Sequence, residues 1–149
     1  MDIAKYIDYT LLKATATPAD IEKLCKEALE YGFYSVCVNS GYVPLAAEQL
    51  KGSKVNVCTV VGFPLGAMST QAKLYETSVA LSQGAQEIDM VLNIGLFLSG
   101  NVAKVLHEIA LLKQETGDRV LKVIIETCYL NDDQKRLASQ VCVDAGADF

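Results

Sequence analysis

The sequence has no tryptophan and only one histidine, His107, among its 149 residues. A zinc centre needs clustered cysteine and histidine ligands, and the five cysteines include no CxxC pair, so no metal site is expected. His107 also has no evident serine or cysteine partner, which leaves a nucleophilic triad unsupported. The odd number of cysteines, with several in apolar runs, favours free thiols in a reducing compartment.

The sequence also lacks a run of basic residues and a long apolar run. Its net charge is −5 and its pI is near 4.8, so nothing draws it toward nucleic acid or an anionic membrane. No apolar stretch approaches the roughly 18 residues of a membrane span, and the N-terminus does not resemble a signal peptide. We therefore predict a cytoplasmic protein without nucleic-acid or membrane partners.

What the sequence does contain is a large apolar fraction, 51%, arranged in alternating patterns. Short runs rich in valine, isoleucine and cysteine predict strands. The predicted strands are Ile7–Thr10, Tyr34–Val38, Val55–Val61, Glu87–Leu92 and Val120–Glu126.

Segments of helical period separate these strands. Thr17 can cap a helix that Pro18 opens, and Gly32 follows its end. Further helices are predicted at Tyr42–Leu50, Ser69–Leu81, Asn101–Thr116 and Asn131–Asp144. This repeated strand–helix order predicts an α/β protein with a parallel sheet.

Two architectures fit this order of elements. An open doubly wound sheet would be complete with five strands in about 150 residues. A (β/α)8 barrel needs about 250 residues, so these 149 residues would supply only part of one. The pattern alone slightly favours the open sheet.

Charged residues lie inside two of the later predicted strands. Asp89 shares a face with Glu87, and Lys122 shares a face with Ile124 and Glu126. A buried strand tolerates such groups only if they are paired or used, so Asp89 and Lys122 either form a structural ion pair or belong to a small-molecule site.

Three further residues are candidates at the ends of the first two strands. Asp8 and Thr10 share a face and serve either local hydrogen bonds or a site. Cys37 is either an inert core thiol or a pocket residue. Residues 62–67, Gly-Phe-Pro-Leu-Gly-Ala, match neither common phosphate-loop motif, and we interpret them as a shaped strand–helix turn.

Several of these stretches, taken in order, resemble the class I deoxyribose-phosphate aldolases. The similar segments are Ile7–Leu12, Val57–Gly66, Glu87–Gly95, Leu121–Thr127 and Ala145–Phe149. The resemblance covers the whole chain in order and spacing. Asn39–Tyr42 departs from the Asn-Pro-Thr-Trp type of segment that the family would lead us to expect.

The resemblance implies a TIM barrel, so that residues 1–149 would form a single truncated (β/α) barrel domain. It would hold about five strands and the start of a sixth. The implied enzyme is a carbon–carbon lyase of deoxynucleoside catabolism. It cleaves 2-deoxyribose 5-phosphate reversibly to acetaldehyde and glyceraldehyde 3-phosphate through a lysine Schiff base, without a metal or other cofactor.

Residue by residue, Asp89 matches the family's proton-relay aspartate, and Lys122 matches a lysine near it. Asp8, Thr10 and Cys37 match positions that line or border the substrate pocket. The family's Schiff-base lysine follows the Ala-Asp-Phe segment in a Val-Lys-Thr-Ser-Thr-Gly type of motif, beyond Phe149.

This ending has two expected consequences. Residues 1–149 alone should be inactive or nearly so, and the alternative to an aldolase is a non-catalytic half-barrel module. An incomplete barrel leaves strand edges open, so we expect self-association through those edges as a symmetric dimer, completion by a partner chain, or rearrangement into an open sheet.

Overall fold

The computed structural model describes residues 2–149, and it contains a strand at each of the five predicted places. The ends differ from the predicted ends by a residue or two. The strands are β1 Asp8–Leu11, β2 Ser35–Val38, β3 Asn56–Val61, β4 Glu87–Val91 and β5 Val120–Ile124.

Within residues 2–149, six α-helices connect or follow the strands. They are α1 Pro18–Tyr31, α2 Val43–Gln49, α3 Thr70–Ser82, α4 Ile94–Leu98, α5 Val102–Thr116 and α6 Asp132–Asp144. The predicted start of α1 is confirmed: Thr17 accepts the Asp20 N–H with its side chain, and the Asp20 carboxylate accepts the Thr17 N–H in return. The sequence pattern missed α4, a short helix capped by the side chain of Asn93. No helix in the described part of the chain is long and apolar enough to cross a membrane.

The five strands form one parallel sheet in the order β1-β2-β3-β4-β5. Each strand therefore lies beside its neighbour in the sequence, as consecutive units of a (β/α) barrel do. The α/β fold predicted from the resemblance is confirmed. The doubly wound sheet that the pattern slightly favoured, and a rearrangement of the five strands into such a sheet, are both wrong, because a doubly wound sheet reverses its strand order partway and this one does not. β1 and β5 are the edge strands of the sheet.

The chain divides into two compact units. The first unit comprises residues up to Val60 together with Ala80–Glu87. In it, β1 and β2 pair with Asp8 opposite Ser35 and Thr10 opposite Cys37, and all four residues of β2 are buried. Glu87 is also fully buried, and its carboxylate accepts a hydrogen bond from Asn56 Nδ2 at 2.8 Å, so this strand-borne charge has a fixed polar partner.

The second unit comprises Val61–Val79 and Ile88–Phe149. Ile88 and Met90 of β4 and Leu121 of β5 are fully buried, as the alternation predicts, whereas Val123 of β5 is only partly buried. The N–H of Asp148 donates to the Leu121 carbonyl at 2.9 Å. The Val123 N–H donates to the Phe149 carbonyl at 3.0 Å, so the last residues run beside β5, as expected for the start of a sixth strand.

Candidate active site

Asp89 and Lys122 meet in the second unit. Asp89 lies in the middle of β4, between the buried Ile88 and Met90, and Lys122 lies in the middle of β5. The structure places Lys122 Nζ 3.1 Å from Asp89 Oδ1. Their side chains are 18% and 16% exposed, so the pair is mostly withdrawn from water but still reachable. An ammonium and a carboxylate held in this way can pass a proton to and from a bound molecule.

Glu126 does not share the face of Lys122 as its predicted strand position required. β5 ends at Ile124, and Glu126 adopts φ 49°, in the left-handed region that turns the chain out of the extended conformation. Its Oε1 accepts a hydrogen bond from Cys128 Sγ at 3.3 Å. This turn takes Glu126 out of β5, which ends two residues after Lys122.

The other three predicted site residues lie together in the first unit. Thr10 and Cys37 are register partners in β1 and β2. Asp8 Oδ1 accepts a hydrogen bond from Ser35 Oγ at 2.7 Å, while Thr10 Oγ1 donates to the Asp8 carbonyl at 2.8 Å. Cys37 is buried in an apolar cluster with Cys58 and Val60. These contacts match the structural interpretation of the three residues, and their role in a substrate pocket stays a prediction.

Three cysteines have a shifted pKa, and in each of them the shift makes the thiol a weaker nucleophile. All five thiols are free, and all but Cys128 are buried. Burial raises the pKa of Cys25 and of Cys142 to about 11. The pKa of the exposed Cys128 is also raised above its ordinary value, mainly by the hydrogen bond to Glu126 and secondarily by desolvation. These three thiols are therefore less reactive than an ordinary cysteine, because the thiolate is the nucleophile.

A second lysine–carboxylate pair was not found from the sequence. Lys73 of α3 is completely buried, and its Nζ lies 2.6 Å from Glu108 Oε1 of α5. The same Nζ donates to the carbonyl of Val91, the last residue of β4, at 2.8 Å. Glu108 is satisfied further by the Thr70 hydroxyl, which donates to its Oε2 at 2.7 Å. A charged residue on a helix is usually solvated, and no local pattern marks either Lys73 or Glu108 as buried.

The loop after β3 also contacts the end of β4. Gly66 has φ 65°, and a side chain there would collide with the carbonyl oxygen of Leu92. Gly62 has φ 66° and rests on the methylenes of Lys73, and its N–H donates to Glu76 Oε2 at 3.0 Å. The predicted shaped turn thus approaches β4 closely at one glycine and the Lys73 side chain at the other.

Comparison with known proteins assigns the chain to a family. Residues 3–149 match the family model described as DeoC/LacD family aldolase. The chain is 56% identical to a deoxyribose-phosphate aldolase of Carboxydothermus hydrogenoformans, covering 99% of this chain and 66% of that protein. It is 53% identical to the enzyme of the same name from Deinococcus radiodurans, covering 100% of this chain and 68% of that protein.

Solved structures agree with the fold. A putative deoxyribose-phosphate aldolase from Coccidioides immitis is 39% identical and superimposes with a TM-score of 0.97, over 99% of this chain and 58% of that one. The deoxyribose phosphate aldolase from Aeropyrum pernix, described as tetrameric, is 33% identical with a TM-score of 0.87, over 99% of this chain and 62% of that one. The chain thus spans about two thirds of the length of these relatives, and it belongs to the DeoC/LacD family of aldolases.

Proposed function

We propose that this chain contributes the proton-relay half of a deoxyribose-phosphate aldolase site, with 2-deoxyribose 5-phosphate as substrate and acetaldehyde and glyceraldehyde 3-phosphate as products. The observation that carries the proposal is the Asp89–Lys122 pair, 3.1 Å apart on two neighbouring strands of a family member. We further propose that residues 1–149 form a single truncated (β/α) barrel domain in the cytoplasm, where the five free thiols stay reduced.

The chemistry needs an amine and a proton relay. A lysine amine condenses with the C1 aldehyde, releasing water and forming an iminium ion. The 3-hydroxyl then loses its proton as the C2–C3 bond breaks, and the electron pair moves into the iminium to give an enamine. Protonation at C2 and hydrolysis release acetaldehyde and regenerate the amine. In this scheme Asp89 and Lys122 accept and return the protons, and Asp8, Thr10 and Cys37 border the substrate.

The resemblance places the lysine that forms the iminium after Phe149. We therefore expect residues 1–149 by themselves to form no Schiff base. Acetaldehyde and borohydride, followed by mass measurement of the protein, test this directly. An adduct on Lys122 would contradict it and would indicate chemistry on the paired lysine itself.

The decisive experiment restores the remaining third of the barrel. Residues 1–149 are mixed with the C-terminal third of the Carboxydothermus hydrogenoformans relative, and cleavage of 2-deoxyribose 5-phosphate is measured. We expect activity that falls about 10²- to 10⁴-fold with Asp89→Asn, the scale of a lost proton-transfer group. Asp133→Asn is the matched control, because Asp133 pairs with Arg136 on the exposed surface of α6.

Two results would count against the proposal. If residues 1–149 and the C-terminal third form a complex that does not cleave the sugar, the proposed aldolase activity is contradicted. Full activity in Asp89→Asn would leave the assignment standing but would remove the relay role of the pair.

A second candidate is self-association through open sheet edges. β5 is the last strand in the sheet order, and the final residues of the chain run beside it. A groove of about 250 Å³ lies there, lined largely by apolar groups, among them Val123, Ile125 and Phe149. Phe149 and Val143 are 77% and 68% exposed. Such a surface favours association. We expect a symmetric dimer in light scattering, weakened by Val143→Asp; a monomer at high protein concentration would exclude it.

A further inference from the structure

We propose that Lys73 is a positioning residue for the Asp89–Lys122 pair, which it holds in place through the end of β4. The inference rests on the proposed function for its meaning, since the pair it positions is the proposed proton relay. Lys73 contacts the backbone of β4 at the Val91 carbonyl. Its action would pass through the backbone of β4.

The first observation is where the Lys73 ammonium ends. Nζ donates to the carbonyl of Val91, two residues after Asp89 in the same strand, at 2.8 Å. The neighbouring N–H of Leu92 donates to the Ile124 carbonyl of β5 at 3.0 Å. The end of β4 is thus tied to β5 through its backbone and to α3 through one lysine. Displacing the Val91 carbonyl would displace Asp89 relative to Lys122.

The second observation is that the ammonium has little freedom to move. Lys73 is 0% exposed, and Glu108 Oε1 lies 2.6 Å from Nζ. Gly62 packs on the lysine stem so closely that an added Cβ would lie 2.9 Å from Cε. A buried charge with a fixed counter-ion and a fixed stem is held in one geometry, which a flexible surface lysine is not.

The third observation concerns the other carbonyl at the strand end. Gly66 lies against the Leu92 carbonyl oxygen, where no side chain would fit. Lys73 and Gly66, from one loop and the helix that follows it, therefore contact two successive carbonyls after Asp89. Proton transfer depends on sub-ångström placement of donor and acceptor, so support of this kind has a functional consequence beyond stability.

The test must separate positioning from simple stabilisation. Lys73→Met leaves Glu108 buried without a counter-ion and should destabilise the unit. Lys73→Met/Glu108→Met removes both charges and keeps apolar side chains of similar length, so stability should largely recover. The hydrogen bond to the Val91 carbonyl is lost in both variants.

The readout is the acetylation rate of Lys122 relative to Lys113, followed residue by residue by mass spectrometry under native conditions. Lys113 is the internal reference, because it pairs with Asp148 in the same unit at 2.7 Å and is 25% exposed. We expect the Lys122-to-Lys113 ratio to rise about threefold to fivefold in the double variant, the scale of a weakened ion pair. A ratio equal to that of the unaltered chain would overturn the proposal.

A second variant keeps the test valid if the double variant does not fold. Gly62→Ala pushes on the Lys73 stem without removing a charge, and we expect the same rise in the ratio. Gly100→Ala is its control, since Gly100 has φ 82° but open space around it. An equal ratio in the two glycine variants would count against positioning. The acetylation assay does not measure cleavage of the sugar. It can therefore contradict the positioning role of Lys73 whether or not the aldolase proposal holds.

Discussion

Two lysine–carboxylate pairs in one compact unit differ in how far water can reach them. Lys73 and Glu108 are 0% and 3% exposed, and their charged atoms are 2.6 Å apart. Lys122 and Asp89 are 18% and 16% exposed, with 3.1 Å between charged atoms. The first pair joins two helices to a strand end, and the second lies on two strand faces. The comparison separates a pair suited to holding structure from a pair that a small molecule can approach.

The sharpest way to break the comparison is to remove one partner of the buried pair. Glu108→Ala leaves the Lys73 ammonium buried without a counter-ion, and we expect a loss of about 3–5 kcal/mol in the free energy of unfolding. Urea denaturation measures it. Glu115→Ala, on an exposed position of α5, should stay within about 0.5 kcal/mol. A loss below about 1 kcal/mol in Glu108→Ala would mean that water reaches the pair.

The contact between the loop and β4 should give the next largest effect. Gly66→Ala adds a Cβ where the Leu92 carbonyl stands and forces alanine into a left-handed φ of 65°. We expect a loss of about 2–3 kcal/mol by urea denaturation. Gly100→Ala carries the φ cost without a collision, about 1 kcal/mol, so the difference between the two isolates the contact. Equal losses in the two variants would show that the backbone at the end of β4 moves to accommodate the added Cβ.

Breaking the more exposed of these two pairs should cost little stability. Asp89→Asn keeps the shape of the side chain and leaves Lys122 within reach of water, so we expect a loss of about 1 kcal/mol or less. The urea midpoint checks this. A loss comparable to that of Glu108→Ala would erase the distinction between the two pairs.

A third pair, more exposed than the other two, extends the series and adds a pH test. Burial raises the pKa of Asp148, but the N–H of Leu121 and the Lys113 ammonium outweigh it and hold this pKa below its ordinary value of 3.8. A depressed pKa in the folded state means stability that is present above pH 3.8 and lost as pH falls through the folded-state pKa. Asp148→Asn should cost less than about 1 kcal/mol at pH 7.

The same difference should shrink in urea titrations below pH 3.8, where the carboxylate of the unaltered chain becomes protonated. A constant difference down to pH 2 would show that the charge of Asp148 does not contribute. The contributions of the three pairs to the free energy of unfolding would then follow the burial of their side chains alone.

The facing of the strand residues was predictable because a strand repeats every two residues. The two-residue period predicted that Ile88 and Met90 are buried, as they are, and that Asp89 lies on the opposite face. The same reasoning in β5 selected Lys122. It failed at Glu126, where a left-handed residue ends the extended run. Periodicity could not choose between a doubly wound sheet and a barrel, because both are built from the same strand–helix unit. The family resemblance made that choice.

The buried helix pair was not predictable, for a different reason. The buried residues of α5 are Val105, Glu108, Ile109, Leu112 and Thr116, so a glutamate lies among the apolar positions that face the core. A glutamate on a helix is usually solvated, so the residue type gives no sign that Glu108 is buried. Its burial depends on Lys73, 35 residues earlier in the chain, and no local window contains both.

The sequential strand order has a consequence for how the chain is made. The contacts that join β1 to β2 and β2 to β3 span only 27 and 21 residues, between Asp8 and Ser35 and between Val38 and Thr59. Such short separations favour fast folding, because each pairing closes a short loop. During synthesis, each strand–helix unit can therefore dock on the previous one soon after it leaves the ribosome, before the next strand exists.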